Sequence, residues 1–329
     1  MKTLITGATG FVGGALARRL HAQSADVTAV GRNLNAGQRL EKEGIRFLQA
    51  DLADKDAITA ACVGQDMVFH CGAYCSPWGR YNDFYASNVV GTQHIILGCE
   101  QHDVKRLVHV STPSLYFAYE SRLNVSENDP LASKQVNFYT QTKLLAEQAI
   151  DHAYQRGLPV ITIRPRAIFG PGDRTILPRL ISRLKEGRLR IIGDESNLID
   201  LTYIDNVVDA LLLCANAPDS TLGRKYNITN GQPINLWQMV QQLCTELNLS
   251  YPRQRLPFRL AFLLAWGMET ASRTLFDYKE PLLTRYTVSI LAKSATLDIS
   301  AARRDLGYQP KVSVEEGSRR FITWWKEQV

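Results

Sequence analysis

None of the six cysteines, at 62, 71, 75, 99, 214 and 244, belongs to a Cys-x-x-Cys pair. That argues against a metal cluster or a disulfide framework. Most have apolar neighbours, so reduced, buried thiols and no bound metal are expected. Basic residues never run five in a row, so the electrostatic footprint of a nucleic-acid binder is missing. No apolar stretch reaches the ~20 residues of a membrane span. The longest, Leu256–Met268 (LPFRLAFLLAWGM), is interrupted by Arg259. Repeats and low-complexity tracts are absent too. The first residues lead straight into an apolar strand, which leaves no room for a cleavable leader, and a cytoplasmic location is expected.

What is present is ordinary in bulk and specific in detail. The 329 residues are 45% hydrophobic and 21% charged, with a formal net charge of +6, as in many globular proteins. The length exceeds the ~250–300 residues of a single core, so one large domain with a smaller appended lobe is expected. The mild positive balance suits an anionic cofactor or an acidic substrate.

The most informative segment is Thr6-Gly7-Ala8-Thr9-Gly10-Phe11-Val12-Gly13, after the apolar pair Leu4-Ile5 and before the amphipathic stretch Ala15–Leu20. Strand, glycine turn and helix in that order cradle a pyrophosphate. Gly7 permits the tight turn, Gly10 opens the backbone to phosphate and Gly13 lets the helix pack on the strand. The helix N-terminus at Phe11 and Val12 adds partial positive charge. Gly7, Gly10, Phe11, Val12 and Gly13 are therefore candidate cofactor-binding residues.

Apolar strands alternate with amphipathic helices through the first half. Strands are expected at Thr3–Thr6, Val27–Val30, Arg46–Gln49, Met67–His70, Arg106–Val110 and Val160–Arg164, with helices around 11–22, 36–43, 54–62, 83–102 and 137–156. This pattern predicts an α/β fold, a doubly wound parallel sheet covered on both faces, with ligands at the carboxyl ends of its strands. After Gly170-Pro171-Gly172-Asp173 the pattern loosens. It suggests a helix over 175–186, strands near Leu189–Ile192 and Ile199–Tyr203, a helix over 205–216 capped by Asp205, and a strand Lys225–Ile228. The division expected is a dinucleotide-binding domain over 1–170, rejoined by about 201–230. A smaller, mostly helical substrate lobe would be built from 171–200 and 231–329.

Ser111-Thr112-Pro113-Ser114 follows the fifth strand, and Tyr139-Thr140-Gln141-Thr142-Lys143 opens the next helix. Tyr139 and Lys143, four apart, project from one helix face. An ammonium beside a phenol favours the phenolate and lowers a pKa that starts near ~10. The tyrosine can then exchange a proton with a carbonyl or alcohol. The Thr112 hydroxyl is placed to stabilise charge on the same oxygen. With a hydride carrier on the glycine turn, these residues make an alcohol/ketone oxidoreductase. The strand Val27–Val30 ends in Gly31-Arg32 with no carboxylate. A guanidinium there pairs with a 2′-phosphate, so NADP(H) is favoured over NAD(H). Arg32 stacked on adenine, with both cofactors usable, is the alternative.

On these motifs, together with Asp51-Leu52, Asn88–Thr92, Arg164-Pro165 and Tyr203–Val208, the chain resembles the extended short-chain dehydrogenase/reductases, whose nucleotide domain is a Rossmann fold. The likeness runs over essentially its whole length. The resemblance implies Tyr139 as general acid/base, Lys143 as pKa modulator and ribose anchor, and Thr112 rather than Ser111 as the active-site hydroxyl. It further implies Asp51 and Leu52 at the adenine, Pro165 in the cofactor site, and Asn88 as the family's helix asparagine. Pro77-Trp78-Gly79, Val110–Ser114, Arg164–Gly170, Asn197–Tyr203 and Tyr226–Asn230 resemble the 3β-hydroxysteroid dehydrogenase-like branch, which includes 2-alkyl-3-oxoalkanoate reductases and sterol-4α-carboxylate 3-dehydrogenases.

That branch implies interconversion of a 3-keto and a 3-hydroxy group on an apolar substrate, 2-alkyl-3-oxoalkanoate or sterol-like, next to a carbon bearing a carboxylate. Arg80 and Arg166 are the candidates for that carboxylate. Leu256–Met268 reads as a buried helix, a lid over the substrate pocket, or an interfacial helix in weak contact with a membrane surface. Helices 83–102 and 137–156 are expected to pair two copies into a homodimer. The rival readings are a nucleotide-sugar epimerase of the same superfamily and a non-catalytic dinucleotide-binding protein.

Overall fold

The computed structural model describes residues 1–328. Seven strands form the central sheet: β1 (Lys2–Thr6), β2 (Asp26–Gly31), β3 (Arg46–Gln49), β4 (Met67–His70), β5 (Arg106–Val110), β6 (Val160–Pro165) and β7 (Lys225–Ile228). All neighbours are parallel, in the order β7-β6-β5-β4-β1-β2-β3. The order reverses between β1 and β4, and sheets of this kind bind ligands outside the carboxyl ends at that reversal.

Alternation along each strand covers both faces. Ile5, Phe69, Val108 and Ile161 belong to one buried cluster, with Leu16 and Leu20 of α1 (Phe11–Ala22). Leu4, Val68, Leu107 and Val160 point the other way. There they meet helices that follow α2 (Leu34–Lys42): α3 (Lys55–Ala61), α4 (Gly91–Gln101) and α5 (Phe138–Gln155). The first face is completed by Val207 and Leu211 of α6 (Ile204–Asn216).

Several boundaries differ from the sequence reading, each for a local reason. α2 starts two residues early because Asn33 Oδ1 accepts the Ala36 N–H at 3.0 Å. The helix expected over 83–102 is a short turn Tyr81–Phe84, a π turn Tyr85–Val90 and then α4. Such a turn is invisible to a 3.6-residue period. Asp205 does not cap α6. Tyr203 holds that position without a side-chain bond, and Asp205 lies in the first turn, 3.5 Å from Arg19.

The strand expected near Ile199–Tyr203 is two. Thr202–Tyr203 pairs with Ile168–Phe169, whereas Leu198–Ile199 pairs with Ile234–Asn235 and Ala295–Leu297. Arg122–Val125, missed in the sequence, completes this second sheet. The region read as mostly helical therefore carries short strands as well.

The apolar stretch 256–268 lies largely in α7 (Phe258–Thr274), which buries Ala261, Ala265 and Glu269 and packs on α8 (Arg285–Ala292). Leu260, Leu263, Leu264 and Trp266 face outward. It is a surface helix, not a buried one. Among the described residues, no helix is long and apolar enough to cross a membrane.

A buried ion pair helps to seat α5 on the sheet. Arg164 of β6 meets Glu147 of α5 through two bonds, Nε–Oε1 at 2.8 Å and Nη2–Oε2 at 2.5 Å, with both side chains buried. Removing the carboxylate strands a buried guanidinium. Glu147→Ala is therefore expected to lower the unfolding free energy by ~3–5 kcal/mol, read from urea titrations. A loss no larger than the ~1 kcal/mol of a surface pair would show that the pair does not seat the helix.

Candidate active site

β1 stops at Thr6 and α1 begins at Phe11. Between them Gly7 takes φ +67°, where a Cβ would lie 2.6 Å from the Gly72 Cα. A Cβ at Gly13 would lie 2.5 Å from the Gly7 carbonyl oxygen. Both positions demand glycine. α1 opens on Gly10 with no side-chain cap, so the first N–H groups, at Phe11, Val12 and Gly13, are left for an anion. The turn fits a dinucleotide pyrophosphate.

β5 hands over to Ser111-Thr112 and a 3-10 turn, Pro113–Tyr116, whose Ser114 N–H is accepted by Thr112 Oγ1 at 3.2 Å. Opposite, a capping box fixes the first turn of α5. Asn137 Oδ1 accepts the Thr140 N–H at 2.9 Å, and Thr140 Oγ1 accepts the Asn137 N–H at 3.4 Å. This turn carries Tyr139, whose hydroxyl lies beside Thr112 and is approached by Cys75 Sγ at 3.6 Å. One turn on, Lys143 Nζ donates to the Val110 carbonyl at 2.8 Å and lies 3.2 Å from His109 Nε2. Thr112, Tyr139 and Lys143 therefore share one site.

The electrostatics correct the sequence argument. Burial pushes the Tyr139 hydroxyl well above the ordinary phenol value, and the Cys75 thiol adds to this while Thr112 opposes it. Burial also lowers the Lys143 amine. The ammonium faces a backbone carbonyl, and desolvation disfavours charge on both side chains. Tyr139 is thus a neutral phenol, ready to donate a proton.

Beneath the site lies a buried polar ladder that the sequence did not announce. Thr6 Oγ1 meets His70 Nδ1 at 2.8 Å, and His70 Nε2 meets Thr92 Oγ1 at 3.0 Å. His70 stacks on His109, its partner across β4 and β5, at 5.7 Å between ring centres. Burial brings His70 down to about 3 and His109 well below its ordinary value. Asn88, in the π turn, accepts the Tyr74 N–H at 2.7 Å and donates to Thr142 Oγ1 at 3.0 Å. It ties the loop after β4 to α5.

A cavity of about 900 Å³ runs along the carboxyl ends of the strands. Gly7, Gly10, Phe11, Val12, Gly13, Arg32, Leu52, Thr112, Tyr139, Lys143 and Pro165 all line it. Asp51 does not: it lies 3.4 Å from the Arg32 guanidinium and accepts the Ala53 N–H at 2.9 Å. Arg80 is also outside, paired on the surface with Asp277. Arg166 lines the cavity, but no residue of α7 does, which removes the lid reading. Cys62, Cys99, Cys214 and Cys244 are buried free thiols, whereas Cys71 and Cys75 line the cavity.

Residues 3–229 match the model described as the NAD dependent epimerase/dehydratase family. The 2-alkyl-3-oxoalkanoate reductase of Stenotrophomonas maltophilia is 37% identical over 331 residues, covering 98% of each chain. That of Shewanella oneidensis is 36% identical, over 96% of this chain and 84% of its own. A sterol-4-alpha-carboxylate 3-dehydrogenase, decarboxylating, from Homo sapiens is 29% identical over 97% of this chain and 86% of its own. Among solved structures, MoeE5 in complex with UDP-glucose and NAD aligns with a TM-score of 0.79 at 25% identity, covering 100% of this chain and 99% of that one.

The buried histidines have a measurable consequence. His70 titrates at about 3 when folded, against 6.5 ordinarily. Between those values the unfolded chain takes up the extra proton, so stability is full above 6.5 and falls as the pH drops towards 3. Urea unfolding across this range should show that slope, and His70→Gln should flatten it by about one proton. An unchanged slope would assign the protons to other groups.

Proposed function

The chain belongs to the NAD-dependent epimerase/dehydratase family, and from that premise we propose that it interconverts a 3-keto and a 3-hydroxy group on an apolar substrate, a 2-alkyl-3-oxoalkanoate or a sterol-like 3β-hydroxysteroid. The observation that carries this reading is the Tyr139 hydroxyl, set with Thr112 and Lys143 on the wall of the cavity that also holds the glycine turn. Further along, Leu177, Leu180, Leu236, Met239, Ile290 and Leu291 make that cavity apolar, which suits an alkyl chain or a ring system. The names of the reductase and sterol dehydrogenase relatives support the same chemistry.

When bound, the nicotinamide cofactor supplies the hydride acceptor or donor. The N–H groups at Phe11, Val12 and Gly13 would hold its pyrophosphate, and Leu52 would pack on adenine. Lys143 has three donors and uses two, on Val110 and His109, which leaves one for a ribose hydroxyl. In the reducing direction Thr112 and Tyr139 both hydrogen-bond the ketone oxygen, and Tyr139 passes its proton to it as negative charge develops. The phenolate so formed lies one helical turn from the Lys143 ammonium. That cation acts on the product state more than on the resting phenol.

Arg32 gives the cofactor preference. It is exposed beside the end of β2, lines the cavity and holds the nearby acid Asp51 in an ion pair. A guanidinium without a competing free carboxylate favours the 2′-phosphate of NADP(H).

Two measurements test the proposal. Tyr139→Phe should lower turnover of 3-keto or 3-hydroxy substrates by ~10²–10⁴ while cofactor affinity, read by fluorescence titration, persists. Epimerisation of nucleotide sugars with no net nicotinamide change, and no reaction with 3-keto compounds, would replace this reading with that of an epimerase. Arg32→Asp should move the NADPH-to-NADH ratio of kcat/KM towards NADH by roughly tenfold, ~1.4 kcal/mol. An unmoved ratio takes Arg32 out of cofactor selection.

A further inference from the structure

The apolar part of the cavity has a charged rim. Arg179, on the helix Leu177–Lys185, and Glu280, in the segment between α7 and α8, both line the cavity. Their side chains are nevertheless 51% and 38% exposed. Residues that line a cavity and also meet solvent stand at its opening. Arg179 Nη1 donates to Glu280 Oε1 at 3.1 Å, so the pair joins two walls of the cavity at its mouth. Leu180, next to Arg179, lines the interior, as do Ile290 and Leu291 of α8. An apolar group entering there meets the charged heads first.

Residues 275–283, which carry Glu280, are held on the opposite side as well. Arg80 pairs with Asp277, which ties the segment to the stretch after β4, where Cys75, Ser76 and Pro77 line the cavity. The segment therefore spans from one wall to the other. Its base is fixed by Ser272 Oγ, which donates to the Lys279 carbonyl at 2.6 Å and accepts the Trp78 indole N–H at 2.9 Å. Apolar contact adds little, because Leu275, Phe276 and Leu282 are exposed. Asp277 and Tyr278 take φ +48° and +61°, a region in which a tyrosine is strained. Exposed ion pairs hold weakly and are screened by salt. A segment held mainly by such pairs is of the kind that opens locally while the rest of the fold stays closed.

We propose that residues 275–283 form a strap across the mouth of the cavity, latched by Arg179–Glu280 and Arg80–Asp277, and that large apolar ligands enter when the latch parts. The inference rests on the reading of this cavity as the substrate site and adds how that site is reached. The latch is electrostatic although the passage behind it is apolar, so salt and charge, not hydrophobic contact, set how often it opens.

Two measurements on the full chain test it. Hydrogen exchange read by mass spectrometry follows the latch through the Tyr278 and Lys279 amides, which donate to the Ser272 and Phe276 carbonyls at 2.9 Å. In Glu280→Arg, where like charges face each other, these amides are expected to exchange about fivefold faster. The native chain should move the same way in about 0.5 M salt. The double variant Arg179→Glu/Glu280→Arg rebuilds the pair in reverse and should return the native rate, while peptides of the central sheet stay unchanged throughout. Stopped-flow association of N-phenyl-1-naphthylamine, a neutral apolar fluorophore, follows entry. Its slow phase should quicken by a similar factor in Glu280→Arg and slow again in the double variant. Should Glu280→Arg not fold, Glu280→Gln and the native salt series decide. Exchange that ignores both salt and charge, or a fluorophore that enters every form at one rate, overturns the proposal. Neither readout uses turnover, so the strap can fail while the oxidoreductase reading stands. Absence of turnover with 3-keto and 3-hydroxy substrates would remove that reading and leave the strap standing.

Discussion

Everything at this site depends on how one face of α5 is buried against the sheet. Tyr139, Lys143 and Glu147 recur every four residues, so they share that face. Glu147 is locked to Arg164 of β6, and the Lys143 ammonium, almost wholly buried, is held by the carbonyl at the end of β5. These two anchors come from adjacent strands and leave the helix little freedom to slide or rotate. The first turn, closed by the Asn137–Thr140 capping box, then delivers Tyr139 to Thr112. The geometry of the candidate site follows from the polar contacts that seat a helix on a sheet.

The same burial sets the charges. Desolvation drives Tyr139, Lys143, His70 and His109 each towards its neutral form. Ladders of hydroxyl, imidazole and amide groups satisfy the buried polar atoms without introducing ions. Arg164 has its counter-charge within the fold, as Glu269 has in Arg285, whereas Arg166 lines the cavity without an ion pair among the described residues.

Much of this was legible in the chain. The strand and helix periods marked the seven strands of the sheet, and the glycine spacing marked a turn whose crowding no side chain other than glycine tolerates. Tyr139 and Lys143 at helical spacing, with Thr112 at a strand end, pointed to proton transfer at an alcohol or ketone. These features are encoded locally, in backbone sterics and side-chain periodicity, and need no knowledge of what lies across the fold.

Other outcomes required the folded chain. Asp51 and Arg80 look like ligands in sequence; in the fold both stand outside the cavity lining, Asp51 beside Arg32 and Arg80 paired with Asp277. The same composition that suggested a buried helix or a lid produced an outward-facing α7. The phenol's titration moved up, not down, because desolvation outweighed a lysine that faces a backbone carbonyl. The second sheet joins Arg122–Val125 to strands more than seventy residues later. Periodicity specifies which face of an element is apolar. It does not specify which ionised group finds a partner or how much water remains, because those depend on residues brought together from distant parts of the chain.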